Sequence, residues 1–127
     1  MYKELIYLHL IHVILSAMIA NDLLKGTLRT IVLKLLRDHK KLYGYEITQR
    51  VEELSKGEIK LTFGALYPVL HKLEAEGYLI TEKESNGKRV RIYYSLTPEG
   101  ENWAQSKIDE FIEYVKTMQY ILQPLPS

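Results

Sequence analysis

No cysteine occurs among the 127 residues, which excludes a disulfide scaffold and thiolate metal sites and fits a reducing compartment. Charge of one sign is also scarce: 17 basic residues stand against 16 acidic, so the whole chain gives no hint of a polyanionic partner. A membrane-spanning run is missing. The sixteen residues from Leu5 to Ala20 carry no formal charge, but crossing a bilayer takes about 20 apolar residues. A secretory leader would open on net positive charge, whereas Met1 to Leu5 hold one Lys and one Glu, so a cytoplasmic protein without a membrane partner is expected. Catalytic patterns are absent as well. There is no glycine-rich phosphate loop and no clustered carboxylate pair suited to acid–base work, and neither His39 nor His71 adjoins a nucleophile, so the sequence reads as a non-enzyme without a cofactor.

What the chain does have is 46% hydrophobic and 26% charged residues, the balance of one globular domain. Its charge is unevenly spread. Residues 25–97 hold 14 basic and 9 acidic residues, residues 98–127 hold 2 and 5, and residues 1–24 hold 1 and 2. A basic middle segment is where phosphate contacts would be made.

Within that segment, TFGALYPVLHKLEAEG at 62–77 predicts a short amphipathic helix. Leu66, Leu70 and Leu73 recur at i, i+4 and i+7, Thr62 suits the N-cap, and Gly77 suits the left-handed closing position. Pro68 lies inside the pattern and deletes the bond to the carbonyl of Gly64, which predicts a kink. Ala65, Tyr67, Pro68, His71 and Lys72 make up the opposite face, and such a face can enter a groove. After Gly77 the period becomes alternating. Two strands follow, with Asn86-Gly87 between them as the central residues of a type I′ turn, and Lys83, Lys88, Arg89 and Arg91 collect near the tip. A helix followed by a basic hairpin is the layout of a winged helix-turn-helix.

The flanking segments read as support. Leu28, Ile31, Val32, Leu35 and Leu36 predict a core-facing helix from Gly26, and Ile47, Val51 and Leu54 a second one opening at Tyr43-Gly44-Tyr45-Glu46. Ile59 and Leu61 suit a short strand beside the wing. Thr97-Pro98-Glu99-Gly100 opens a C-terminal helix in which Ala104, Ile108, Phe111, Val115, Met118 and Leu122 alternate in steps of four and three, the seam of a coiled coil, with Trp103, Ile112 and Ile121 widening it. So broad an apolar face on a small domain calls for a second copy. The first 24 residues predict a separate helix, apolar on most sides, that hides itself against its own domain or a second subunit. His9 and His12 are spaced i, i+3 there, but two imidazoles without a carboxylate or thiolate make an incomplete site, and no metal is expected.

LLKGTLRTIVLKLL at 23–36, YGYEI at 43–47, GALYPVLHKLEAEGYL at 64–79 and YYSLTPEG at 93–100, in that order, resemble the PadR family of bacterial transcriptional regulators. The resemblance covers about residues 23–122, and the extra residues before it depart from the family's usual start. It implies a homodimeric winged helix that binds a palindromic operator in double-stranded DNA and represses transcription, in some members under control of a small molecule. It also implies DNA-facing positions at Tyr45, Thr62, Gly64, Tyr67, Lys72, Lys88, Arg89 and Arg91. In the multidrug-responsive branch an aromatic residue of the C-terminal helix stacks on planar ligands; its counterparts here are Phe111 and, two turns earlier, Trp103.

The expected architecture is therefore mainly α with a small β-hairpin, an α+β winged helix-turn-helix. Residues 1–24 and 98–127 would serve dimerisation around a DNA-binding domain at 25–97, with Ile108, Phe111, Ile112, Val115, Met118 and Leu122 in the interface. Among the DNA-facing positions Lys72 is the expected base reader, since a cation two turns into a groove helix can reach guanine acceptors. The rival reading is a winged-helix interaction module that does not bind DNA and docks through its apolar helices.

Overall fold

The computed structural model describes residues 2–126; of their side chains, those of residues 9 and 11–22 lie outside the description, and with them His9, His12 and most of the apolar N-terminal run. The chain folds as α1 (Tyr2–Asp38), β1 (Leu42–Tyr43), α2 (Gly44–Leu54), α3 (Phe63–Ala75), β2 (Leu79–Asn86), β3 (Arg89–Leu96) and α4 (Pro98–Ile121). Among the described residues no helix is long and apolar enough to cross a membrane.

Burial follows the predicted stripes. Leu66, Leu70 and Leu73 of α3 are fully buried, each contributing about 1.5–3 kcal/mol of transfer free energy. They meet Leu28, Val32, Leu35 and Leu36 of α1, Ile47 and Val51 of α2, and Leu79 and Tyr94 of the sheet in one core. Leu33 is buried as well, although it lies off the predicted stripe of α1. The reason is that α4 packs along α1, while α2 and α3 pack on it too, so two sides of this helix are covered.

Three local expectations differ from the structure. The N-terminal segment is not a separate helix but continues into the domain's first helix as α1, since Gly26 is tolerated inside it at a cost of about 1 kcal/mol. The third strand is Leu42–Tyr43, paired antiparallel with Tyr93–Tyr94, rather than Ile59 and Leu61. Leu61 is buried in the core instead, and the Ile59 N–H is taken up by the Ser55 hydroxyl at 3.0 Å. The sheet order is β1-β3-β2. At the wing tip Asn86 pairs with Arg89, so the two-residue loop is Gly87-Lys88 rather than Asn86-Gly87. Gly87 has φ +67 and is the only residue of the turn with positive φ, the pattern of a type II′ turn with glycine at its first central position.

α3 runs on through Pro68 as α-helix, and Gly77 at φ +85 closes it. One clasp ties the end of α3 to the start of α4. The Thr97 hydroxyl accepts from Gly100 N–H at 3.0 Å, capping α4, and donates to the Gly77 carbonyl at 2.7 Å, while Thr97 N–H bonds the Tyr78 carbonyl at 3.0 Å.

Candidate nucleic-acid interface

The start of α3 is open. Thr62 Oγ1 accepts from Ala65 N–H at 3.2 Å, and the Thr62 carbonyl takes Ala65 and Leu66, so among the described residues the N–H groups of Phe63 and Gly64 keep no partner. Those two donors at the positive end of the helix dipole suit a phosphate oxygen. Thr62, Phe63, Gly64, Ala65, Tyr67, Pro68, His71 and Lys72 are all exposed. At Gly64 a Cβ would meet only Thr62 Oγ1, at 3.9 Å. Packing inside the chain therefore does not require glycine there, whereas close approach of another backbone would.

Tyr67 joins α3 to α2. Its hydroxyl lies 2.8 Å from where a Cβ on Gly44 would sit, so glycine at the first residue of α2 makes room for the ring. Phe63 and His71 flank Tyr67 one turn before and after, with ring centroids 5.7 and 6.0 Å away. On α2, Glu46 accepts from Tyr43 N–H at 3.2 Å and fixes the helix start. The exposed Tyr45 beside it receives a hydrogen bond from Gln49 at 2.8 Å and stacks near Tyr43 at 6.4 Å.

The wing divides its cations into two sets. Lys83, Lys88 and Arg89 are exposed and make no ion pair among the described residues, leaving them available to an anion. Arg91 is differently placed, with its guanidinium 4.6 Å from the centre of the Tyr43 ring, and Tyr43 in turn meets Tyr93 edge-on at 5.4 Å. Lys41 pairs with Glu84 and sits over Tyr93, and its hydrogen bond to Glu84 raises its pKa, so it stays charged. Arg91 and Lys41 thus brace the wing against β1, a bracing role that nothing in the sequence pattern separates from the tip cations. Tyr94, beneath this cluster, has its phenol pushed up by burial and remains neutral.

α4 carries the remaining positions. Ile108, Phe111 and Ile112 line an apolar cleft of about 510 Å³ with Ile31 and Leu35 of α1 and Val51 and Leu54 of α2. Beyond the cleft Val115 and Leu122 are exposed and Met118 is half-buried. Trp103 is engaged inside the chain, stacked on Tyr78 with centroids 4.2 Å apart and the rings 2° from parallel. Arg29 lies over it at 4.9 Å and pairs with Glu76 at 2.7 Å. Trp103 and Phe111 nevertheless share the wall of a second cleft of about 280 Å³, with Arg29, Lys107 and Glu110.

Two residues on which this geometry depends escape a reading by pattern. Gly44 seats Tyr67, and Gly100 lies so close to the Tyr78 carbonyl that a Cβ there would run into it. They stand within YGYEI at 43–47 and YYSLTPEG at 93–100, but only the packing shows why they are glycine.

Residues 32–106 match the family described as "Transcriptional regulator PadR-like family". A transcriptional regulator from Mycobacterium tuberculosis is 41% identical over 59 residues, 46% of this chain and 52% of its own length. The transcriptional regulator YqjI of Escherichia coli is 33% identical over 86 residues, 67% of this chain but 39% of that protein. Among solved structures, a transcriptional regulator from Clostridium thermocellum superposes with a TM-score of 0.73 at 28% identity, covering 80% of this chain and 99% of that one. A PadR family transcriptional regulator from Eggerthella lenta gives 0.72 at 28% identity, covering 88% and 95%. Motif order, the winged-helix fold and the span of the family match agree: the chain is a transcriptional regulator of the PadR-like family.

Proposed function

We propose that the protein is a homodimeric, sequence-specific DNA-binding repressor that places the exposed face of α3 in the major groove of a palindromic operator and grips the flanking backbone with the wing. The observation that carries this reading is the exposed α3 start, followed in the chain by a hairpin; among the described residues the N–H groups of Phe63 and Gly64 and the tip cations Lys83, Lys88 and Arg89 have no partner. In this reading Thr62 and Gly64 meet a phosphate, Tyr45 and Tyr67 donate hydroxyls, Lys72 reads a guanine edge, and Lys88 and Arg89 supply attraction independent of sequence. Arg91 contributes by holding the wing. In this reading a small aromatic effector would enter the cleft lined by Trp103, Phe111, Arg29 and Lys107, where the two cations would meet its ring.

The test is an anisotropy titration with random-pool duplex DNA at low and at physiological salt, with sequencing of the retained fraction. Arg89→Ala is expected to weaken all duplexes alike and to flatten the salt slope by about one unit. Lys72→Ala is expected to relax preference at one base position, with about 1–3 kcal/mol lost on the selected site. If no duplex is retained even at low salt, the tip cations are only solvated surface charge and an interaction module without DNA binding takes the place of the repressor.

A further inference from the structure

The exposed side of α3 is poor in the groups that read bases through paired hydrogen bonds. Over its first three turns, Thr62 to Leu73, α3 has no Asn, Gln, Arg, Asp or Glu, the side chains that make bidentate contacts with purines or accept from cytosine; Glu74 comes only in the last turn, and the one full cation is Lys72. It presents apolar or small residues instead: Phe63, Gly64, Ala65 and Pro68 are all exposed. Of these only Phe63 is large. It occupies the first position of α3 and leaves 47% of its surface in water, a standing hydrophobic cost that three neighbouring leucines of the same helix avoid completely.

Phe63 is also braced. Its ring lies 5.7 Å from that of Tyr67, which is itself seated over Gly44, so the phenyl group forms an apolar platform at the end of α3 where, among the described residues, the Phe63 and Gly64 N–H groups keep no partner. In the major groove the one apolar feature on a base edge is the 5-methyl group of thymine. We propose that Phe63 is a specificity-determining residue that packs on a thymine methyl in each half-site, so that the operator is read largely through apolar contact. This rests on the assignment of α3 as the groove helix.

The experiment uses the full chain and a duplex selected from a random pool. Each thymine of the half-site is replaced in turn by deoxyuridine, which keeps the base pair and removes only the methyl. One or two positions are expected to weaken binding by about fourfold each, the effect of one buried methyl. Phe63→Ala should weaken binding to the unmodified site by at least as much and become indifferent to uracil at those positions, whereas Phe63→Leu should retain sensitivity. The uracil scan on the unsubstituted protein is informative whether or not Phe63→Ala folds. Indifference of the unsubstituted protein to every uracil, a selected half-site without thymine, or an undiminished uracil effect in Phe63→Ala overturns the inference while leaving DNA binding intact. Failure to retain any duplex overturns the groove-helix assignment and this inference with it.

Discussion

Three glycines separate what holds the fold from what meets a partner. At Gly100 an added Cβ would collide with the Tyr78 carbonyl, a backbone atom fixed by its bond from Thr97 N–H, and at Gly44 it would displace the Tyr67 ring. Gly64 is the opposite case, with open space before it. Gly100→Ala is therefore expected to lower the thermal midpoint by several degrees, because overpacking against rigid backbone costs about 1–3 kcal/mol. Gly64→Ala should keep or slightly raise that midpoint, since alanine is favoured in a helix by about 1 kcal/mol, yet weaken DNA binding by about tenfold through lost close approach to phosphate. Melting curves and anisotropy on the same samples check both. A Gly64→Ala protein that binds DNA normally would remove Gly64 from the interface.

At the scale of elements, the α3 unit and α4 are joined through Thr97, whose one hydroxyl caps α4 and bonds the residue that closes α3. Thr97→Ala should cost about 1–2 kcal/mol from the cap alone, and Thr97→Ser should restore most of it, as urea unfolding would show. A loss equal in both variants would place the effect on the Thr97 methyl group instead. The elements themselves were legible because each has a local cause: leucines at helical spacing, a hydroxyl before Pro98, alternation after Gly77. The misreadings have a common physical origin. Whether Leu42 or Ile59 supplies the third strand depends on what lies beside β3, and the shift of the hairpin loop from Asn86-Gly87 to Gly87-Lys88 is a matter of register, set by pairing along eight residues on each side rather than by the turn dipeptide. The bracing of Arg91 against Tyr43 is hidden for the same reason, since the two residues are distant in sequence. The α3 face was readable as a surface from its residues alone, while the seating of Tyr67 on Gly44 required the packed structure.

For the whole molecule the question is what covers α4. Ile112 is 47% and Val115 38% exposed, and Ile121 and Leu122 are more open still, on a helix whose first half is packed against α1. The apolar cleft formed by α1, α2 and α4 lies directly before this uncovered stretch, with Ile112 belonging to both. In the proposed homodimer a second copy laid along this surface would bury the distal half of α4, and binding to a palindrome would require the two α3 helices to lie about 34–36 Å apart, one turn of DNA. Val115→Asp puts a charge in that interface without touching the core, so the melting curve of the monomer fold should stay two-state while sedimentation shows half the mass. Loss of the partner half-site removes the avidity of a linked pair, so affinity for the full palindrome should fall by about 10²-fold or more and affinity for an isolated half-site should not change. Dimeric mass retained in Val115→Asp, with unaltered binding to the palindrome, would show that the contact between copies lies elsewhere on the chain.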